Sequence, residues 1–118
     1  MEAPKGVTVD SAFLVDHLRD EPQALAKSDE LAGRREPLFL TTPVIYGVVT
    51  GLLFSRSRIQ ASAFRPLAHA FTILPFDEPA AERGAEIRAE LMRDGTPGSG
   101  VDIMIAAIAS LHGHSVVT

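Results

Sequence analysis

Two acids stand where a carboxylate can do chemistry. Asp10 ends the run Val7-Thr8-Val9, and Asp102 opens the run Ile103-Met104-Ile105-Ala106-Ala107-Ile108-Ala109. The first run is β-branched and reads as a strand, so Asp10 falls at a strand end. The second reads as a buried helix with Asp102 in its first turn, where the helix dipole favours a negative charge. Gly98 and Gly100 ahead of it let the chain turn tightly. Carboxylates brought together repel unless a cation bridges them, and hard oxygen ligands suit Mg2+ or Mn2+. Such an ion activates water and neutralises charge at a phosphodiester under attack. The plain alternative is a pair of structural acids, one at a strand end and one capping a helix.

The two acids can cooperate only if the elements between them bring both to one place. Ser11 can cap a helix with Phe13, Leu14 and Leu18 inside and Asp16, Arg19 and Asp20 outside. Pro22 opens another helix that runs to Gly33. Leu38-Phe39-Leu40 is a second strand, and Thr42-Pro43 is a cap and first-turn signal for a helix from Val44 to about Phe54. Ser57 to Ala70 is predicted as a helix split by Pro66, and Phe71 to Leu74 as a third strand. Asp77 caps a helix whose inner face is Ala81, Gly84, Ile87 and Leu91, with Glu82, Glu86 and Glu90 as a solvated outer stripe among arginines. The Asp102 helix follows, then Ser115 to Thr118 as a fourth strand. Strands alternate with helices, which predicts an α/β fold with a parallel four-stranded sheet flanked by helices. Ligands of such sheets collect at the carboxyl ends of the strands. Both acids face that rim if the fourth strand lies beside the first.

At 118 residues the chain is long enough for one domain with a core, and residues 1–118 show no repeat or linker. A net charge of −4 argues against broad, non-specific nucleic-acid binding, though not against a local grip on RNA. The absence of Cys excludes disulfides and thiolate chemistry. The start lacks the apolar core of a signal peptide, so the expected location is the cytoplasm. Pro37 to Phe54 is uncharged, but Thr41-Thr42-Pro43 interrupts it, so a strand followed by a helix fits it better than a membrane span.

Val9-Asp10-Ser11-Ala12-Phe13-Leu14-Val15-Asp16 resembles the opening of PIN domains of the VapC toxin type. Gly98-Ser99-Gly100-Val101-Asp102-Ile103-Met104-Ile105-Ala106-Ala107 resembles that family's second landmark, an Asp before an Ile-Ala-Ala helix. Leu74-Pro75-Phe76-Asp77 and the ending His112-Gly113-His114-Ser115-Val116-Val117-Thr118 sit as in the family. The resemblance spans nearly the whole chain. It implies a Mg2+-dependent endoribonuclease, toxin behaviour, homodimerisation and neutralisation by a VapB-type antitoxin. It makes Asp10 and Asp102 the metal-binding catalytic acids, with Ser11 the small hydroxyl residue beside the first.

Two departures bear on activity. The family places a Glu early in the helix after the second strand, and Gly47 stands at the matching position. Either Gly47 serves close helix packing or a ligand is lost. The family also carries an acidic or amide residue and a last edge strand beyond the Val-Val-Thr strand, so the chain is expected to be truncated, with an exposed edge that recruits partners. Both departures predict weak metal affinity and low nuclease activity. The alternative function is a catalytically inactive PIN-like protein that binds an antitoxin or its own kind. Arg56 and Arg58, with Ser11, are the candidate RNA contacts, and Arg65 is a weaker one. His112 and His114 fit a helix end and a turn better than a metal pair. His17 and His69 have no partner in view.

Overall fold

The computed structural model describes residues 6–18, 37–96, 98 and 100–117. In chain order the elements are β1 (Val7–Val9), α1 (Ser11–Leu18), β2 (Leu38–Thr41), α2 (Thr42–Phe54), α3 (Arg58–His69), β3 (Thr72–Leu74), α4 (Glu78–Arg93), α5 (Gly100–His112) and β4 (Ser115–Val117). The expected helix from Pro22 to Gly33 lies outside the described residues.

The four strands form one parallel sheet in the order β3-β2-β1-β4. β1 is central, with Val7, Thr8 and Val9 opposite Leu38, Phe39 and Leu40 on one side and opposite Ser115, Val116 and Val117 on the other. Alternation along β1 sends Val7 and Val9 into one cluster with Phe13, Leu14, Leu40, Val44 and Ile105. Val9, Leu14, Leu40 and Val44 are fully buried. Each such side chain contributes about 1.5–3 kcal/mol relative to an exposed one. Thr8 points the other way and is also buried, so its hydroxyl requires a partner.

Helix starts differ from the sequence reading by one residue, for a chemical reason. Asp10, not Ser11, caps α1, because its Oδ1 accepts the Phe13 backbone N–H at 3.2 Å. Thr41, not Thr42, caps α2 by accepting the Val44 N–H at 3.4 Å. Thr41, the last residue of β2, has the extended backbone a cap needs, with φ −99° and ψ 152°, and in both helices the short side-chain oxygen just ahead of the first turn reaches its N–H. Asp77 caps α4 as expected, with Oδ1 3.1 Å from the Ala80 nitrogen.

α3 is one helix and is not split by Pro66. Pro66 and Ser62 are both exposed, so water can serve the Ser62 carbonyl that loses its N–H partner, while buried Phe64 and Ala68 hold the helix to the core. The inner face of α4 keeps Gly84, buried, and Ile87 and Leu91, half-buried, but Ala80 takes the place expected of Ala81, which is exposed. α5 was expected to be covered nearly all round. Ile103, Ile105, Ala107, Ile108 and Ala109 are buried, whereas Ala106, Ser110 and Leu111 face outward. α5 packs on α4 and on α2, and its third face is open. Among the described residues no helix is long and apolar enough to cross a membrane.

Candidate metal centre at the carboxyl rim of the sheet

The topology carries both acids to one rim. Asp10 is the first residue beyond the carboxyl end of β1. A helix returning between parallel strands runs opposite to them, so its last turn lies at their amino ends and its first turn at their carboxyl ends. α5 ends at His112, with two residues between it and β4, and Asp102 lies ten residues back along the helix, about 15 Å. β4 lies directly beside β1. Val101, next to Asp102, packs on the cluster that contains Val9, Phe13 and Val44. The mouth of α5 therefore opens beside the end of β1.

The rim is built by polar atoms holding chain ends. One oxygen of half-buried Asp10 is committed to the first turn of α1. Asp102 is exposed in the first turn of α5. Thr42 Oγ1 accepts the Phe76 N–H at 3.1 Å, tying the link after β3 to the start of α2. The sequence reading gave Thr42 a capping role and missed this tie, which joins residues 34 apart. Ser11 is half-buried beside Asp10.

Gly47 lies in the second turn of α2, near the same rim. A Cβ added there would meet nothing within 4 Å. Close helix packing therefore does not require glycine at this position, and the space is open to a longer side chain. Among the described residues no group of three or more His, Asp and Glu is placed to hold a metal.

The arginines do not join the acids. Arg56 follows the carboxyl end of α2, which runs 13 residues, about 20 Å, away from its start at the rim. Its backbone is left-handed, with φ 56°, an uncommon conformation for a non-glycine residue. Arg58 opens α3 at that same end.

The histidines sit at the amino end of the sheet. His112 ends α5, and His114 lies between α5 and β4, so they mark a helix end and a turn. The hydroxyl of Thr8 and Nδ1 of His114 are hydrogen-bonded at 3.0 Å, which satisfies the buried threonine. The His114 ring lies 4.4 Å from that of Phe39 and 5.5 Å from that of His112, centroid to centroid. Burial, with repulsion from His112 second, lowers the His114 pKa below 6.5. His69 ends α3 and is exposed.

The family model for the PIN domain matches residues 7–118. The chain belongs to the PIN domain family. Solved structures with this fold include the DNA-bound VapBC of Salmonella typhimurium, at 24% identity and TM-score 0.83, covering 97% of this chain and 86% of that one. VapBC2 of Rickettsia felis, bound to a DNA fragment from its promoter, matches at 18% identity and TM-score 0.82, over 95% and 85% of the two chains. VapC20 of Mycobacterium tuberculosis, a sarcin-ricin loop cleaving toxin, matches at 18% identity and TM-score 0.65, over 92% and 85%. At these identities the likeness establishes the PIN fold. No curated protein sequence matches the chain.

Proposed function

We infer that this PIN domain is a VapC-type endoribonuclease of a toxin–antitoxin pair. The observation that carries the reading is the shared rim: Asp10 at the end of β1 and Asp102 at the mouth of the helix that feeds its neighbour β4. Mg2+ commonly takes only one or two carboxylates and completes its shell with water and substrate phosphate, so this donor set fits it, and Mn2+ by the same oxygen chemistry. When bound, such an ion supplies an activated water and charge neutralisation at an RNA phosphodiester. Asp10 and Asp102 would hold the ion. Asp10 also pins the start of α1, which keeps its carboxylate in place, and Ser11 lies beside the substrate path.

The open space at Gly47 supports a weakened centre. The family's Glu would add a third carboxylate, and its loss leaves that coordination to water. The proposed partner is a VapB-type antitoxin. Support comes from the VapBC complexes among the structures of this fold. A homodimer in the cytoplasm completes the proposal.

Calorimetric titration with Mn2+ and Mg2+, beside a metal-dependent RNA cleavage assay, tests this reading. Binding is expected to be weak in the native chain, tighter in Gly47→Glu and lost in Asp10→Asn. Equal, tight binding by the native chain and Gly47→Glu refutes the weakened centre. A second reading, an inactive PIN-like protein that only binds partners, is favoured by the lack of a three-ligand group among the described residues. It prevails if Gly47→Glu neither binds metal nor cleaves RNA.

A further inference from the structure

The longest acid-free part of the chain lies on one structural unit. From residue 37 to residue 76 the sequence contains Arg56, Arg58 and Arg65 and no Asp or Glu, in a protein of net charge −4. This stretch builds β2, α2, α3 and β3. The outer side of α2 is exposed and apolar: Tyr46 is 70% exposed, Leu53 65% and Phe54 89%. Tyr46 and Phe54 are the two aromatic side chains among the exposed large apolar residues of the described chain. Tyr46 lies near the rim end of α2. Leu53 is seven residues further on, which in a helix is the same line to within about 20°. That line runs to a cavity of about 540 Å³ between α2 and α3, lined in part by Leu53, Arg56 and Ser62. A second hollow of about 410 Å³ shares Ser62 and is bounded by Arg65.

We propose that the outer face of α2 is a track for single-stranded RNA. It runs from the metal rim past Tyr46 to the Arg56–Arg65 basin, with bases stacking on Tyr46 and Phe54. The inference rests on the ribonuclease reading and names how that site takes its substrate. Two properties favour RNA over a protein partner. Carboxylates repel a polyanion, and the forty consecutive positions that build β2, α2, α3 and β3 contribute none. Exposed aromatic rings beside arginines are what strand binding uses, because every base has a π-face. The two rings are eight residues apart, about 12 Å along the helix and about 80° around it. That is well beyond the about 3.4 Å rise of stacked bases in a duplex strand. Bases on the two rings are therefore splayed, which selects unpaired RNA. Arg56 and Arg65 neutralise phosphates at the far end. The arginines, although remote from the acids, then belong to the same substrate path.

The test is fluorescence anisotropy of a labelled oligoadenylate with the full chain in EDTA, so that binding is read without cleavage. An RNA duplex of the same length serves as control. Tyr46→Ser and Phe54→Ser should each weaken binding about fivefold to a hundredfold, and Tyr46→Phe should restore it. Arg56→Ser and Arg65→Ser should each lower the slope of log affinity against log salt by up to about 0.7. All four losing substitutions are at exposed positions, and circular dichroism checks their fold. The proposal is overturned if the four variants bind as the native chain does, or if the duplex binds as well as the single strand. It is also overturned if the native chain ignores RNA while Phe54→Ser changes its mass in light scattering, which would make the face a protein interface. Loss of binding in the track variants beside an inactive metal centre would break the nuclease reading and leave the track. Normal cleavage with unaltered binding in the variants would do the reverse.

Discussion

The two ends of β1 are built on opposite terms. At its amino end the chain is crowded. A Cβ on Gly6 would run into the ring of Phe39 and into Nε2 of His114, and the one buried hydroxyl there, on Thr8, is bonded to that imidazole. At its carboxyl end Asp10 is half-buried, Asp102 is exposed and a Cβ on Gly47 would touch nothing within 4 Å. One end is packed to hold the sheet. The other leaves polar groups and space. Glycine therefore means opposite things in the two places: Gly6 is required by sterics, whereas Gly47 is permitted by their absence.

Substitutions at the two ends should separate activity from stability. The largest effect is expected from Asp10→Asn and Asp102→Asn. Loss of a metal-holding carboxylate forfeits several kcal/mol of transition-state stabilisation, so RNA cleavage should fall by about a hundredfold or more. Asn caps a helix about as well as Asp, so the melting temperature of Asp10→Asn should hardly move. Cleavage at the native rate by either variant would remove the rim from the chemistry. Next is Gly6→Ala, where overpacking should cost about 1–3 kcal/mol in urea unfolding without touching metal binding. A neutral result would show that the base of the sheet is looser than its contacts imply. Smaller, and of opposite sign, is Gly47→Ala. It should stabilise by about 0.4–1 kcal/mol, because a helical position gains a Cβ that meets nothing. Destabilisation there would revive close packing as the role of Gly47.

The smallest effect is in pH dependence. Folding lowers the His114 pKa below its unfolded value of 6.5, through burial first and His112 second. Below that value the unfolded chain binds more protons than the folded one. The contribution is thus fully present above pH 6.5 and is lost as pH falls through the lowered folded pKa. His114→Gln should flatten unfolding free energy between about pH 7 and 5 relative to the native chain. An unchanged slope would show that His114 does not sense folding.

Much of this was legible in the letters, for reasons that can be named. The short β-branched and apolar runs at Val7, Leu38, Ile73 and Val116 became strands because alternation with helices leaves few other arrangements. The Pro43 signal became a helix start because a missing N–H costs nothing in a first turn. Caps slipped by one residue at Asp10 and Thr41, since capping depends on a backbone angle that side-chain type does not report. Pro66 did not split α3, since the exposure of Ser62 and Pro66 is a tertiary fact. Arg56 went to the far end of α2, because a return helix carries its last residues away from the rim.

The sequence alone determined the alternation of strands and helices, the two acids that follow a strand and open a helix, and the want of a carboxylate at position 47. These depend on residue type and on neighbours a few positions away. Only the tertiary structure decided that β4 lies against β1, that Gly6 is crowded while Gly47 is not, and that Tyr46 and Leu53 line one exposed face of α2. Those outcomes depend on which elements share space after the chain has closed on itself. Contacts between residues a hundred positions apart, such as Thr8 with His114, leave no local trace in the order of the letters.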